Sequence, residues 1–296
     1  MDLGSTYTGT RLKDYTCSLT WRDTMNYAAS IHDTNPVYFD DERPKGIIAH
    51  PMQAVAITWP VVEKIWEYVD APDFPREALL TQVHYTEHLE FHRPLRPDDK
   101  LRIKGRIAAI GPHRAGTHTV IRFDAIDSLG KTVFTEHIGA MLRGVQCRGD
   151  ARGIQDLPHV PGYNAGGNYI RETRIPIDLL TPFIYDGCTN IVFPIHTSVK
   201  FAREVGLPGR ILQGTATLAM AITELIDQEA GRDPSLLREL SCRFSGMIIP
   251  GEDIVIRLLH KEAGNGTNLF FEVENARGQK AISHGYARLQ DKTDTR

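Results

Sequence analysis

The segment Tyr185–His196, YDGCTNIVFPIH, places three groups able to do chemistry within twelve residues: the Asp186 carboxylate, the Asn190 amide and the His196 imidazole. A positioned imidazole can take and return a proton near neutral pH, which is general acid–base work. Asn190 cannot act as a base, but its amide can orient water or a carbonyl. A second stretch, HDTNPVYFD, supplies Asp33 and Asn35. Asp, Asn and Pro in that order also suit a turn or a helix cap. His84, His88 and His92 recur every four residues in HYTEHLEFH. On a helix they would share a face, as metal ligands do. LEFHRPL reads as strand, however, and no HExxH is present, so no metal is expected. No G-x-S-x-G elbow and no glycine-rich dinucleotide fingerprint occurs. No redox cofactor is expected.

The elements that must hold these groups occur twice. YAASIHDTNPVYFD from Tyr27 lies over YDGCTNIVFPIHTS from Tyr185, and each has a proline nine residues after the tyrosine. GIIAHPMQAVAIT (46–58) resembles GRILQGTATLAMAIT (209–223), which sets His50 against Gln213. FHRPLRPDDKLRIKG (91–105) matches FSGMIIPGEDIVIRL (244–258), and DSLGKTVFTEHIGAMLRG matches ENARGQKAISHGYARLQ. Four blocks in one order indicate a duplication. Each half reads as a short helix carrying the tyrosine, a long central helix (52–69 and 215–230), then antiparallel strands. The joint at 151–167 is rich in Gly and Pro. The halves are therefore 1–150 and 168–296, an α+β arrangement in which each helix must bury against a sheet face.

Hydrophobic residues make up 41% and charged residues 24%, with a net charge of -3 and no long run of one sign. That composition gives no support for a nucleic-acid partner. No apolar run is long enough to span a membrane. The N-terminus lacks the apolar stretch of a signal peptide. Four scattered cysteines without a CxxC pair do not make a disulfide framework, so a cytoplasmic setting is expected.

HDTNPVYFDDE followed by GIIAHPM resembles the N-terminal half of MaoC-like dehydratases, and FPIHTSVKFAREVGLPGRILQGTATLA resembles their catalytic half. The resemblance covers most of the chain. It implies a double hot-dog fold, each half a curved antiparallel sheet around a long helix. It also implies reversible hydration of 2-enoyl thioesters to 3-hydroxyacyl thioesters by acid–base catalysis. The family places an Asp and a His in the proton work and a glycine N–H at the central helix in the oxyanion hole.

On that resemblance His196 is the proton-transfer group and Gly214 the oxyanion donor. Gln213 and Thr215 flank the substrate, while Lys200, Arg203 and Arg210 could meet phosphates of a CoA or an acyl-carrier protein. The family Asp position, five before the histidine, is Ile191, and the family Asn is Phe193. Three readings remain. His196 works with Asn190 and water alone; a carboxylate comes from Asp186, Asp33 or Glu63; or the dyad is lost and the chain only binds thioesters. A hot-dog thioesterase is the rival enzyme. The protein could act as a monomer or a homodimer.

Overall fold

The computed structural model describes residues 1–163, 167 and 169–291. Of the joint expected at 151–167, residues 164–166 lie outside the described ones. The first half runs β1 (Asp2–Gly4), β2 (Tyr15–Ser18), α1 (Trp21–Ser30), α2 (Gln53–Glu63) and α3 (Ile65–Tyr68). Strands β3 (Gln82–Phe91), β4 (Lys100–His113), β5 (Gly116–Ile126), β6 (Thr132–Arg143) and β7 (Gln146–Arg148) follow. The second half runs β8 (Arg171–Pro176), α4 (Thr181–Thr189), α5 (Val199–Glu204) and α6 (Gly214–Glu229). It ends in β9 (Leu237–Phe244), β10 (Asp253–Gly264), β11 (Gly266–Glu274) and β12 (Lys280–Leu289).

Two compact units result. One gathers Met1–Ser18, Ile57–His92 and Lys100–Pro161; the other gathers Leu19–Ala56, Arg93–Asp99 and Gly162–Arg296. In the first, the sheet order is β2-β4-β5-β6-β3, antiparallel throughout. In the second it is β8-β10-β11-β12-β9, also antiparallel. These are the same topology, strand for strand, which turns the sequence repeat into a structural one.

The hairpin turns repeat as well. Asp127 Oδ1 accepts from the N–H of Leu129 and Lys131, and Asn275 Oδ1 accepts from the N–H of Arg277 and Gln279. Gly130 (φ 78°) and Gly278 (φ 70°) take the left-handed turn position that a side chain disfavours.

Each unit thus pairs a sheet with a helix, as the α+β double hot-dog expectation requires. In the second unit α6 buries ten residues and packs on β12. The other central helix differs from expectation: instead of one rod over 52–69, α2 stops at Glu63 and α3 restarts at Ile65. Pro60 lies inside α2 and cannot donate the backbone bond to Ala56, which weakens the rod there. His84 and His88 both lie on β3, where positions four apart are separated by about 13 Å.

Candidate active site

In the second unit a tight turn follows α4 and carries His196 to the approach of α6. His196 N–H bonds Phe193 O, and Ile211 N–H reaches Ile195 O at 3.4 Å. The imidazole Nδ1 lies 2.9 Å from Ile211 O. A carbonyl only accepts, so Nδ1 carries the proton and Nε2 is left as the basic nitrogen. Burial pulls the His196 pKa down to about 4, against the opposing pull of the Ile211 carbonyl. The ring is therefore neutral at physiological pH. Phe193 stands edge-on to it at 6.4 Å and to Phe201 at 6.2 Å, an aromatic flank.

Three residues beyond Ile211, α6 begins. Leu212 N–H bonds Ile248 O at 2.9 Å, anchoring the approach from the other side. Gly214 is the first residue of this sixteen-residue helix and Gln213 is its N-cap. The first N–H groups of a helix lack intrahelical acceptors, and the dipole makes that end attractive to negative charge. A Cβ at Gly214 would meet the Phe244 ring at 2.9 Å, so packing on β9 also demands a glycine there.

The residue just before Gly214 is tied to α4. Gln213, 1% exposed, donates from Nε2 to Pro182 O at 3.0 Å, while its Oε1 is buried with no hydrogen-bond partner among the described residues. Thr215 is buried near the phenol of Tyr185, and its Oγ1 makes no hydrogen bond among the described residues. That phenol is held up at about 12, first by burial, with the Thr215 and Tyr27 hydroxyls opposing.

The other residues singled out from sequence fall elsewhere. Asn190 is exposed and caps α4 in the left-handed region (φ 57°), a conformation Asn tolerates. Asp186 sits one turn earlier on α4. Burial raises its carboxyl, and its Oδ2 is buried without a partner among the described residues. Asp33 accepts from Asn35 N–H at 2.8 Å and from the Thr223 hydroxyl at 3.0 Å. Thr223 is nine residues along α6 from Gly214, about 13 Å by helical rise. Arg210 lies over the Phe183 ring at 4.9 Å. Arg203 is exposed on α5, and Lys200 lies 4.0 Å from Glu204. Thus His196, Gln213, Gly214 and Thr215 converge on the approach and first turn of α6, while Asp33 does not join them.

Sequence reasoning gave no role to Tyr27 and Tyr185, which hydrogen-bond at 2.8 Å. It also missed the string in which His50 Nε2 meets Thr223 Oγ1 at 3.1 Å and Thr223 donates to Asp33. Met52 N–H occupies His50 Nδ1, and burial lowers His50 to about 3. The repeat alignment of the two tyrosines was the available signal.

Comparisons with known proteins bear on the family and the fold. Residues 165–281 match the MaoC like domain, and residues 6–136 match the FAS1-like, dehydratase domain region. Fatty acid synthase subunit beta of Aspergillus oryzae is 33% identical over 45% of this chain and 6% of its own length. The 3-hydroxyacyl-thioester dehydratase Y of Mycobacterium tuberculosis is 26% identical over 82% of each chain. The chain spans about a third or less of the first curated relatives it matches. The crystal structure of a MaoC-like dehydratase from Phytophthora Capsici superposes with a TM-score of 0.83 at 20% identity, covering 98% of each chain. Among the described residues no helix is long and apolar enough to cross a membrane.

Proposed function

Because the chain belongs to the MaoC-like dehydratases, we propose that it is a hydro-lyase that interconverts a 2-enoyl thioester and its 3-hydroxyacyl counterpart. The observation that carries this reading is the neutral His196 imidazole, bound through Nδ1 to the strand of chain that leads into the α6 N-terminus.

In the hydration direction Nε2 takes a proton from water as the water oxygen bonds to C3. The C2–C3 π pair moves toward the thioester carbonyl. The growing negative charge on the thioester oxygen is met by the N–H groups at Gly214 and by the helix dipole. The imidazolium then returns the proton to C2, so water is consumed with no other reactant. An imidazolium whose pKa lies near 4 is a strong donor for that second transfer. One imidazole serves as base and then as acid, and the residue at the family Asp position, Ile191, is buried and apolar.

Lys200, Arg203 and Arg210 are assigned to the phosphates of a CoA or carrier-linked substrate. Their place on α5 and on the approach to α6 supports this. Of the three, Arg210 also packs over the Phe183 ring.

The test is a panel of 2-enoyl-CoA thioesters, with enone absorbance and free thiol followed separately. Loss of enone without thiol, abolished in His196→Ala, is the expected result. Thiol release would make the protein a thioesterase, and full activity in His196→Ala would remove the imidazole from the mechanism.

A further inference from the structure

We infer that Gln213 is a catalytic residue whose Oε1 accepts a hydrogen bond from the water that adds to C3, and from the 3-hydroxyl in the reverse direction. This rests on the hydration chemistry proposed above and assigns the acceptor role that the family Asp leaves open.

The amide cannot be turned round. Pro182 O only accepts, so the Nε2 end must face it, and Oε1 must face away. With the side chain 1% exposed, bulk solvent does not serve that oxygen, and no group of the described residues does. A buried acceptor without a donor is unfavourable, and chains keep one where a functional partner supplies the hydrogen. Gln213 is also the residue immediately before Gly214, and it lies two residues after the carbonyl that holds His196. The acceptor, the proposed oxyanion donor and the tether of the base thus occupy four consecutive residues, Ile211–Gly214.

Two of the other polar candidates, Asn190 and Asp33, are committed elsewhere. Asn190 is exposed at the α4 cap. Both oxygens of Asp33 are occupied at Asn35 and Thr223. Asp186 is more exposed than Gln213 and serves as the control. A neutral amide also suits this position, since a carboxylate there would compete with the developing thioester oxyanion for the positive end of α6.

The experiment is calorimetric, in a His196→Ala background that blocks turnover. A 3-hydroxyacyl-CoA and the saturated acyl-CoA of the same length are titrated into His196→Ala and into His196→Ala/Gln213→Leu. The parent should prefer the hydroxylated ligand by roughly 3- to 10-fold, the value of one neutral hydrogen bond. Gln213→Leu should erase that preference while the saturated ligand binds as before. Gln213→Glu provides a second readout: the protonated acid donates to Pro182 O and still accepts from the hydroxyl, so at low pH it should keep the preference that Gln213→Leu removes. An equal loss for both ligands would reduce Gln213 to a structural clamp, and a preference that survives Gln213→Leu or disappears in Asp186→Asn would overturn the assignment. If the parent binds neither thioester, the hydratase reading itself falls and the role of Gln213 falls with it.

Discussion

The phenolic oxygens of Tyr27 and Tyr185 lie 2.8 Å apart, with the rings edge-on at 5.8 Å and 73°. These are equivalent positions of the two repeats, on α1 and α4, and both side chains are fully buried. The bond joins α1 to the helix that fixes Gln213. Tyr27→Phe and Tyr185→Phe should each cost about 0.5–1.5 kcal/mol, the net worth of the buried hydrogen bond between them. The double variant should cost less than the sum, because that bond can be lost only once. Urea unfolding of the four proteins checks this, and strict additivity would show that the two phenols are not coupled.

The pH profile of hydration should report the buried imidazole. With His196 lowered to about 4, kcat/KM should rise with pH through about 4 and stay level from roughly pH 5.5 to 8. His196→Ala should lower kcat by about 10²–10⁴. An acid limb centred near the ordinary histidine value of about 6.5 would show that the ring is solvated during catalysis.

Gly214 has two reasons to be glycine, and they can be separated. A methyl group there collides with Phe244, so Gly214→Ala should lose about 1–3 kcal/mol of stability together with most of the rate. Adding Phe244→Leu should recover stability without recovering rate, because the thioester still cannot approach the backbone. Thermal melts and turnover on the same preparations decide this, and recovery of both would leave Gly214 with a packing role alone.

Glu87 on β3 and Glu136 on β6 make stability depend on pH. The register pairs Leu89 with Glu136 and Glu87 with Ile138, which makes the two carboxyls diagonal neighbours on one face. Both are fully buried, at 0% exposure. Burial first, then the Glu87 charge, lifts Glu136 well above the usual carboxylate range, while Thr58 opposes the shift. Burial likewise lifts Glu87, and contacts with Glu136 and the His88 backbone oppose it. His84 Nε2 lies 3.0 Å from Glu87, but burial pulls that ring down to about 4, so it is neutral at physiological pH.

The folded pair therefore holds more protons than the unfolded chain above the ordinary carboxylate pKa. The stabilisation is complete below that pKa and is lost as pH rises toward the folded values. Glu136→Gln mimics the protonated acid, with an N–H for Glu87 and a carbonyl for Thr58. It should flatten the decline in Tm between pH 5 and 9 and raise Tm most at the alkaline end. An unchanged slope would mean that the pair does not hold the extra proton.

Local pattern alone determined a good deal. The four repeated blocks, the alternation of the strands and the Gly-bearing turns at 127–131 and 275–279 identify two equivalent α+β halves, because side-chain period and turn chemistry are properties of neighbouring residues. The FPIH and ILQG stretches likewise marked His196 and the start of α6. Tertiary structure decided what each polar group does, since hydrogen-bond partners and burial arise from residues far apart in the chain. Asp33 is occupied by Thr223, 190 residues away. Asn190 is spent on a helix cap, where its backbone angle rather than its amide matters. Gln213, one letter before a glycine in the sequence, owes its buried and unpaired oxygen to Pro182, 31 residues earlier. No spacing rule encodes those distances; they exist only after the two helices have packed.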